Sequence, residues 1–171
     1  MELRIEPYTE LSLLPNICQC CLYWEHPRLF KTHPEIERAK SLKREWVGKR
    51  GGATAWGFVA YANDAPVGFC HCAAAPFFPM LREYHCGDAS PDSLFIACLY
   101  IAPSVQGHGI GQRLRARVEE QANADGFTAV ETIARRNCTN NPSGPVSFWQ
   151  KNGYAISTYH DEFALMRKEL L

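Results

Sequence analysis

Apolar and polar positions alternate along this chain with two different periods, and the changes of period divide it into elements. From Pro34 to Lys49, Ile36, Ala39, Leu42, Lys43 and Trp46 share one helical face, with proline in the first turn and Lys49-Arg50-Gly51-Gly52 at the end. Residues 9–24 read as an earlier helix with Thr9 as its N-cap and a break near Pro15. Ala53 to Ala62 and Ala65 to Ala74 read as two strands joined by Asn63-Asp64, a β-hairpin. A stretch rich in Pro, Phe and Tyr from Pro76 to Pro91 reads as a loop. Leu94 to Ile101 is apolar without helical period, as a buried central strand would be, and Pro103 stops it. Ile110, Leu114, Val118 and Ala122 then recur every fourth residue, which predicts an amphipathic helix closed by Gly126. Phe127 to Ala134 reads as a strand, Pro145 to Asn152 as a short helix ended by Gly153, and Tyr154 to Tyr159 and Phe163 to Lys168 as the last strands. The order α-α-β-β-β-α-β-α-β-β predicts a mixed α/β domain.

Length and composition add limits. At 171 residues, with 46% hydrophobic and 21% charged positions, the chain suits one globular domain over 1–171. Eighteen basic and eighteen acidic residues cancel, so the excess expected of a nucleic-acid or anionic-membrane binder is missing. No apolar run reaches membrane-helix length, and the first residues have no signal-peptide core, so a cytoplasmic protein is expected. Eight cysteines include a cluster at Cys18, Cys20 and Cys21, in which Cys18 and Cys21 have Cys-x-x-Cys spacing, but no second pair at that spacing. Cys70-His71-Cys72 lies in a strand, which sends two thiols to one face and His71 to the other. Buried thiols packed as small hydrophobes are the favoured reading; a metal site from Cys18, Cys20, Cys21 and a histidine is the minority one. Asn137-Cys138-Thr139 matches a glycosylation acceptor, which has no meaning without secretion.

The chemistry concentrates at Val105-Gln106-Gly107-His108-Gly109-Ile110-Gly111, between the central strand and the amphipathic helix. Glycines bare the backbone there, and the amides of a helical first turn, backed by the helix dipole, bind phosphate. A dinucleotide fingerprint would need glycine where Gln112 stands, and no Gly-Lys-Ser/Thr follows for a nucleotide triphosphate loop.

Gln106, Gly109 and Gly111 fit Gln/Arg-x-x-Gly-x-Gly/Ala, which resembles the pyrophosphate loop of the GNAT N-acetyltransferases. Leu99-Tyr100-Ile101-Ala102-Pro103 precedes it, and Phe148-Trp149-Gln150-Lys151-Asn152-Gly153-Tyr154 resembles the Phe-Tyr-x-Lys-x-Gly-Phe element of that family. The resemblance covers residues 53 to 168 in order and spacing. It implies the acyl-CoA N-acyltransferase fold: a mostly antiparallel twisted sheet with one splayed parallel strand pair and about four flanking helices. It assigns 1–52 to the acceptor side and 53–171 to the sheet and cofactor core. Acetyl-CoA is then the cosubstrate, a small-molecule or peptide amine the acceptor, and direct transfer the mechanism, with neither nucleic acid nor membrane as partner. A homodimer is a further expectation, since small domains of that family often dimerise.

Residue by residue, the resemblance places the pantetheine arm along Leu99, Tyr100 and Ile101. A backbone N–H near Leu99 would polarise the thioester carbonyl, and Gln106, Gly107, His108, Gly109, Ile110 and Gly111 would hold the pyrophosphate. Asn141 and Trp149 fall near further cofactor contacts, and the arginines of the amphipathic helix near the 3′-phosphate, a solvated face being the favoured reading for Arg115. Many members have an acidic Tyr where Trp149 stands, and some a carboxylate early in the central strand, where this chain has Phe95, Ile96 and Ala97. Glu25, Glu131, Tyr100 and His71 are the substitutes the sequence offers for proton transfer, alongside water. Tyr154 is expected in the core. Tyr23, Trp24, Phe30, Phe77, Phe78 and Tyr84 enrich the acceptor side in aromatics, with Glu25, Glu83 and Asp88 as anionic candidates for a cationic amine. Small metabolite, antibiotic, polyamine and protein N-terminus all stay open as acceptors, and so does a cofactor-binding module without catalysis.

Overall fold

A computed structural model of the chain describes residues 2–48, 57–137 and 141–171. Among the described residues, seven strands form one sheet in the order β1-β2-β3-β4-β5-β7-β6. They are β1 (Leu3–Pro7), β2 (Gly57–Ala62), β3 (Ala65–Ala74), β4 (Ser93–Ile101), β5 (Ala129–Arg135), β6 (Ala155–His160) and β7 (Phe163–Glu169). Every neighbouring pair is antiparallel except β4 and β5. The helices are α1 (Asn16–Gln19), α2 (Pro27–Phe30), α3 (Ile36–Gly48), α4 (Ile110–Ala124) and α5 (Val146–Lys151). None of these is long and apolar enough to cross a membrane.

Strand alternation builds two apolar layers. Phe58, Cys70, Cys72 and Ile96 point to one face, where Ile110, Leu114, Val118 and Ala122 of α4 and Trp149 of α5 cover them. Val59, Phe69 and Phe95 point to the other, beneath Leu14, Trp24, Trp46 and Phe78. The thiols of Cys70 and Cys72 are thus core groups on the α4 side, while His71 contacts the rings of Trp46 and Phe78 on the opposite side. Leu114 is wholly buried; a side chain of that kind contributes about 1.5–3 kcal/mol.

The sheet opens at its centre. β4 pairs with β5 only from Ser93↔Ala129 to Ile96↔Thr132, although β4 continues to Ile101. Opposite β3, His71 pairs with Cys98 and Cys72 with Ile96, so Ala97 is an extra residue on β4. A bulge of this kind bends its strand and ends local pairing, and here it turns the second half of β4 away from β5.

The N-terminal segment departs from the pattern reading. Residues 9–24 do not form one helix: a 3-10 turn at Leu11–Leu13 and the short α1 stand there instead. Pro15 is extended, at φ −51° and ψ 140°, and has no N–H to continue a helix. β1 was absent from the pattern reading; Leu3 and Ile5, half-buried between exposed Glu2, Arg4 and Glu6, gave only a short alternation. The region 76–91 also holds two 3-10 turns, Ala75–Phe77 and Pro79–Tyr84. The expected strand residues 53–56, the helix end at 49–52 and the sequon residues Cys138 and Thr139 fall outside the described residues.

Candidate functional site

The glycine-rich turn folds as its residues require. Gly109 caps α4 with φ 76°, and Gly107 has φ 81°; this left-handed region favours glycine. The first bond into the helix runs from Arg113 N–H to the Gly109 carbonyl at 3.2 Å. The amides of Ile110, Gly111 and Gln112 precede it and have no acceptor within the helix. They border a groove of about 440 Å³ lined by Leu99, Ile101, Gln106, Gly107, Asn141 and Phe148, among others. Gln106 Nε2 donates to the Ile101 carbonyl at 3.0 Å, tying the turn to the end of β4. His108 Nδ1 lies 3.0 Å from the Gln106 carbonyl, and its ring does not line the groove. On the far wall, Asn141 Nδ2 donates to the carbonyls of Gly144 at 3.0 Å and Ile133 at 3.3 Å.

Trp149 stands elsewhere. It is fully buried, its indole N–H donates to the Ser143 carbonyl at 2.8 Å, and Phe148 presents its ring to the groove instead. One residue along a helix turns a side chain by about 100°, which a spacing argument does not resolve. Tyr154 packs edge-on against Trp149 with centroids 4.8 Å apart, and its hydroxyl donates to Glu119 at 2.9 Å. Burial raises its pKa well above the ordinary phenol value. Arg115 and Lys168 also pair with Glu119, so Arg115 belongs to a half-buried network and not to a solvated helix face.

A second cavity, about 250 Å³, lies on the other side of β4. Alternation explains the division: Leu99 and Ile101 line the first cavity, Cys98 and Tyr100 the second. Its walls are largely apolar, from Cys18, Tyr23, Trp24, Phe30, Phe69 and Tyr100. Pro142 sits at the seam, lining the second cavity while its neighbours Asn141 and Ser143 line the first. The Leu99 N–H, on the edge of β4 that β5 leaves free, donates to the Pro142 carbonyl at 2.9 Å.

The polar end of this cavity is a buried cluster. Glu25 Oε1 lies 3.0 Å from Lys43 Nζ and 2.8 Å from His71 Nε2, and the three side chains are 1%, 3% and 2% exposed. Lys43 also donates to the Cys21 carbonyl at 2.8 Å. Burial alone would raise the Glu25 pKa, but Lys43 first and His71 second outweigh it and hold it at about 2. Burial pulls Lys43 the other way, and Glu25 again wins, so its ammonium stays charged. A carboxylate held this firmly is a counter-ion and a poor proton acceptor. Lys43 was legible only as a lysine on the apolar stripe of a helix; its partner could not be named from spacing.

Glu131 is not brought to either cavity. It is buried at the start of β5, where it accepts from the Ser90 amide at 2.7 Å and the Ser93 hydroxyl at 2.5 Å, with Arg167 at 3.4 Å. Glu131 therefore belongs to a closed polar network beneath the 76–91 region and faces neither the cleft nor solvent. Burial pushes the Cys98 thiol well up and the Cys18 thiol to about 12, so both are uncharged at neutral pH. Among the described residues no group of three or more His, Cys, Asp or Glu is placed to hold a metal ion.

Comparison with known proteins addresses this arrangement directly. The model of the acetyltransferase (GNAT) family matches residues 19–154. The chain belongs to the GNAT acetyltransferase family. No curated protein matches it at a significant level. Similar solved structures include the PaiA N-acetyltransferase of Thermoplasma acidophilum in complex with coenzyme A, at 17% identity and TM-score 0.61 over 99% of both chains. An N-acetyltransferase of Staphylococcus aureus Mu50 is 15% identical, with TM-score 0.62 over 100% of both chains. The N-acetylglutamate synthase of Neisseria gonorrhoeae, complexed with coenzyme A and N-acetyl-glutamate, is 14% identical with TM-score 0.60, covering 100% of this chain and 36% of that one. At these identities the structures establish a shared GNAT fold.

Proposed function

We propose that the protein transfers an acetyl group from acetyl-CoA to a primary amine by direct attack, as a cytoplasmic enzyme. One observation supports this most: two cavities, one edged by helix-start amides and one apolar, lie on either side of the stretch of β4 that β5 does not pair with. The groove suits a pyrophosphate-bearing thioester. Ile110, Gly111 and Gln112 offer amides to phosphate oxygens, and the free edge of β4 from Leu99 to Ile101 offers strand-like hydrogen bonds to an amide-containing arm. Bound acetyl-CoA supplies an activated acyl carbon and a thiolate leaving group.

The remaining chemistry is the chain's own. The Leu99 amide, released from Pro142, polarises the acyl carbonyl. The second cavity removes water from the amine, which favours its neutral, nucleophilic form. The nitrogen lone pair bonds to the acyl carbon, the C–S bond breaks onto sulfur, and the proton lost by the amine reaches the thiolate through water. Tyr100, beside Leu99 on β4, and His71, hydrogen-bonded to Glu25, are the polar side chains of the second cavity proposed to assist that transfer. Glu25 serves by fixing His71 and Lys43, and no step is assigned to Glu131.

A second reading, a cofactor-binding module without turnover, draws on the bond that caps Leu99 N–H in the free chain. Amine-dependent release of free thiol from acetyl-CoA, with acetylated amine identified by mass, separates the two. Thiol release that rises with amine concentration supports the enzyme; binding of acetyl-CoA with no release across an amine panel supports the module.

A further inference from the structure

The second cavity does more than accept some amine, because its volume, walls and charge balance restrict which amine fits. Taking roughly 30 Å³ for each water-sized group, about 250 Å³ holds on the order of eight non-hydrogen atoms. The walls are carbon and sulfur over most of their area, with Tyr23 and Phe30 packed edge-on at the entrance, centroids 5.3 Å apart. Among the described residues lining it, Glu25 is the one carboxylate, and its charge is already matched by Lys43 at 3.0 Å. No net negative charge is left for a ligand. A ligand with several ammonium groups would bury the extra charges without partners, which is strongly unfavourable. A peptide N-terminus would need strand or loop partners for its amides, and side-chain rings and thiols offer none.

We propose that the acceptor is a compact primary amine with a single aromatic or alkyl substituent, the substituent seated among Tyr23, Trp24, Phe30, Phe69 and Tyr100 and the nitrogen directed to the Leu99 junction. This rests on the amine-acetylation reading and narrows it. Aromatic walls give a flat substituent edge-to-face contacts. A single amine needs no counter-ion once it is deprotonated, consistent with the neutral Glu25–Lys43 pair behind it. Phe30 is 39% exposed at the rim, so replacing it changes the entrance and leaves the core intact.

The test is a steady-state comparison of 2-phenylethylamine, hexylamine, spermidine and an alanine-initiated tetrapeptide, each with saturating acetyl-CoA, for wild type and Phe30→Asp. The expected result is kcat/KM for the first two at least about a hundredfold above the last two. Phe30→Asp, which adds an unpaired carboxylate at the rim, should lower 2-phenylethylamine at least tenfold, raise spermidine relative to it, and keep acetyl-CoA affinity within about twofold. Preference for spermidine or the peptide, or an unchanged ratio in Phe30→Asp, overturns the assignment. If no amine is acetylated, calorimetry of 2-phenylethylamine with the protein saturated in coenzyme A decides. Binding weakened by Phe30→Asp retains the pocket assignment while the transfer reading fails; no binding overturns the assignment itself.

Discussion

Replacing Lys43 by methionine isolates the ion pair that closes the floor of the second cavity. Methionine keeps an unbranched chain of similar length, so packing along α3 changes little. What is lost is a cation 3.0 Å from a carboxylate, the two side chains being 3% and 1% exposed. Leaving one partner of a buried pair alone costs about 3–5 kcal/mol. His71, 2.8 Å from the same oxygen, can take up a proton and compensate in part, so the lower end, about 3 kcal/mol, is expected. For a chain of this length that corresponds to a melting-temperature drop of roughly 6–12 °C. The pH dependence is more telling than the size. In the wild type Glu25 is depressed from an ordinary 4.5 to about 2. Its contribution is therefore fully present above 4.5 and is lost as pH falls toward 2. In Lys43→Met burial dominates and the folded pKa rises above 4.5, so the penalty is full at neutral pH and fades as the carboxyl protonates on acidification. Urea denaturation at pH 7.5 and pH 4.5 should show the two proteins far apart at the first pH and closer at the second. Lys43→Met with Glu25→Gln should recover most of the loss, since no unpaired charge remains. A cost below about 1 kcal/mol at pH 7.5, or a gap that widens on acidification, would refute the description of this cluster.

Tyr154→Phe removes a hydroxyl that donates to Glu119, with a cost of about 1 kcal/mol in urea denaturation; kcat for amine acetylation should stay within about twofold, and a loss beyond tenfold would make this hydroxyl the proton donor after all. Gly57→Ala should fail more severely, because a Cβ there would lie 1.9 Å from the Cys70 carbonyl oxygen at a φ of 146°. A loss of at least about 2 kcal/mol in the same assay is expected, and a variant as stable as the wild type would contradict the close approach of β2 and β3.

The parts of the fold written in strong periodicity were readable in advance. Ile110, Leu114, Val118 and Ala122 lie where their fourfold spacing puts them, under β2, β3 and β4, and Ala65–Ala74 has the bounds its turn residues set. β1 was not readable, because a five-residue edge strand with two inward side chains carries too little alternation and gains its stability from pairing with β2. The segment 9–24 misled because Leu11, Leu14, Cys18 and Leu22 are all buried and mimic a helical stripe, while Pro15 resets the backbone between them. The glycine-rich turn was legible because Gly107 and Gly109, both at positive φ, state a backbone geometry outright. The polar cluster of the second cavity was not. Glu25, Lys43 and His71 come from three separate elements, and neither their convergence nor the depressed pKa of Glu25 has a local signature. The capping of the Leu99 amide by Pro142 likewise depends on where a distant loop comes to rest.

The turn from Gln106 to Gly111 and the free edge of β4 are proposed to hold acetyl-CoA. Calorimetric titration of the purified protein with acetyl-CoA tests this most directly, beside Gly109→Trp, whose side chain would occupy the start of α4 at a φ of 76°, with folding of the variant checked by thermal melting. One site of micromolar affinity in the wild type and no measurable binding in the folded variant are expected. Absence of binding by the wild type, or equal affinity in both proteins, would contradict the proposal.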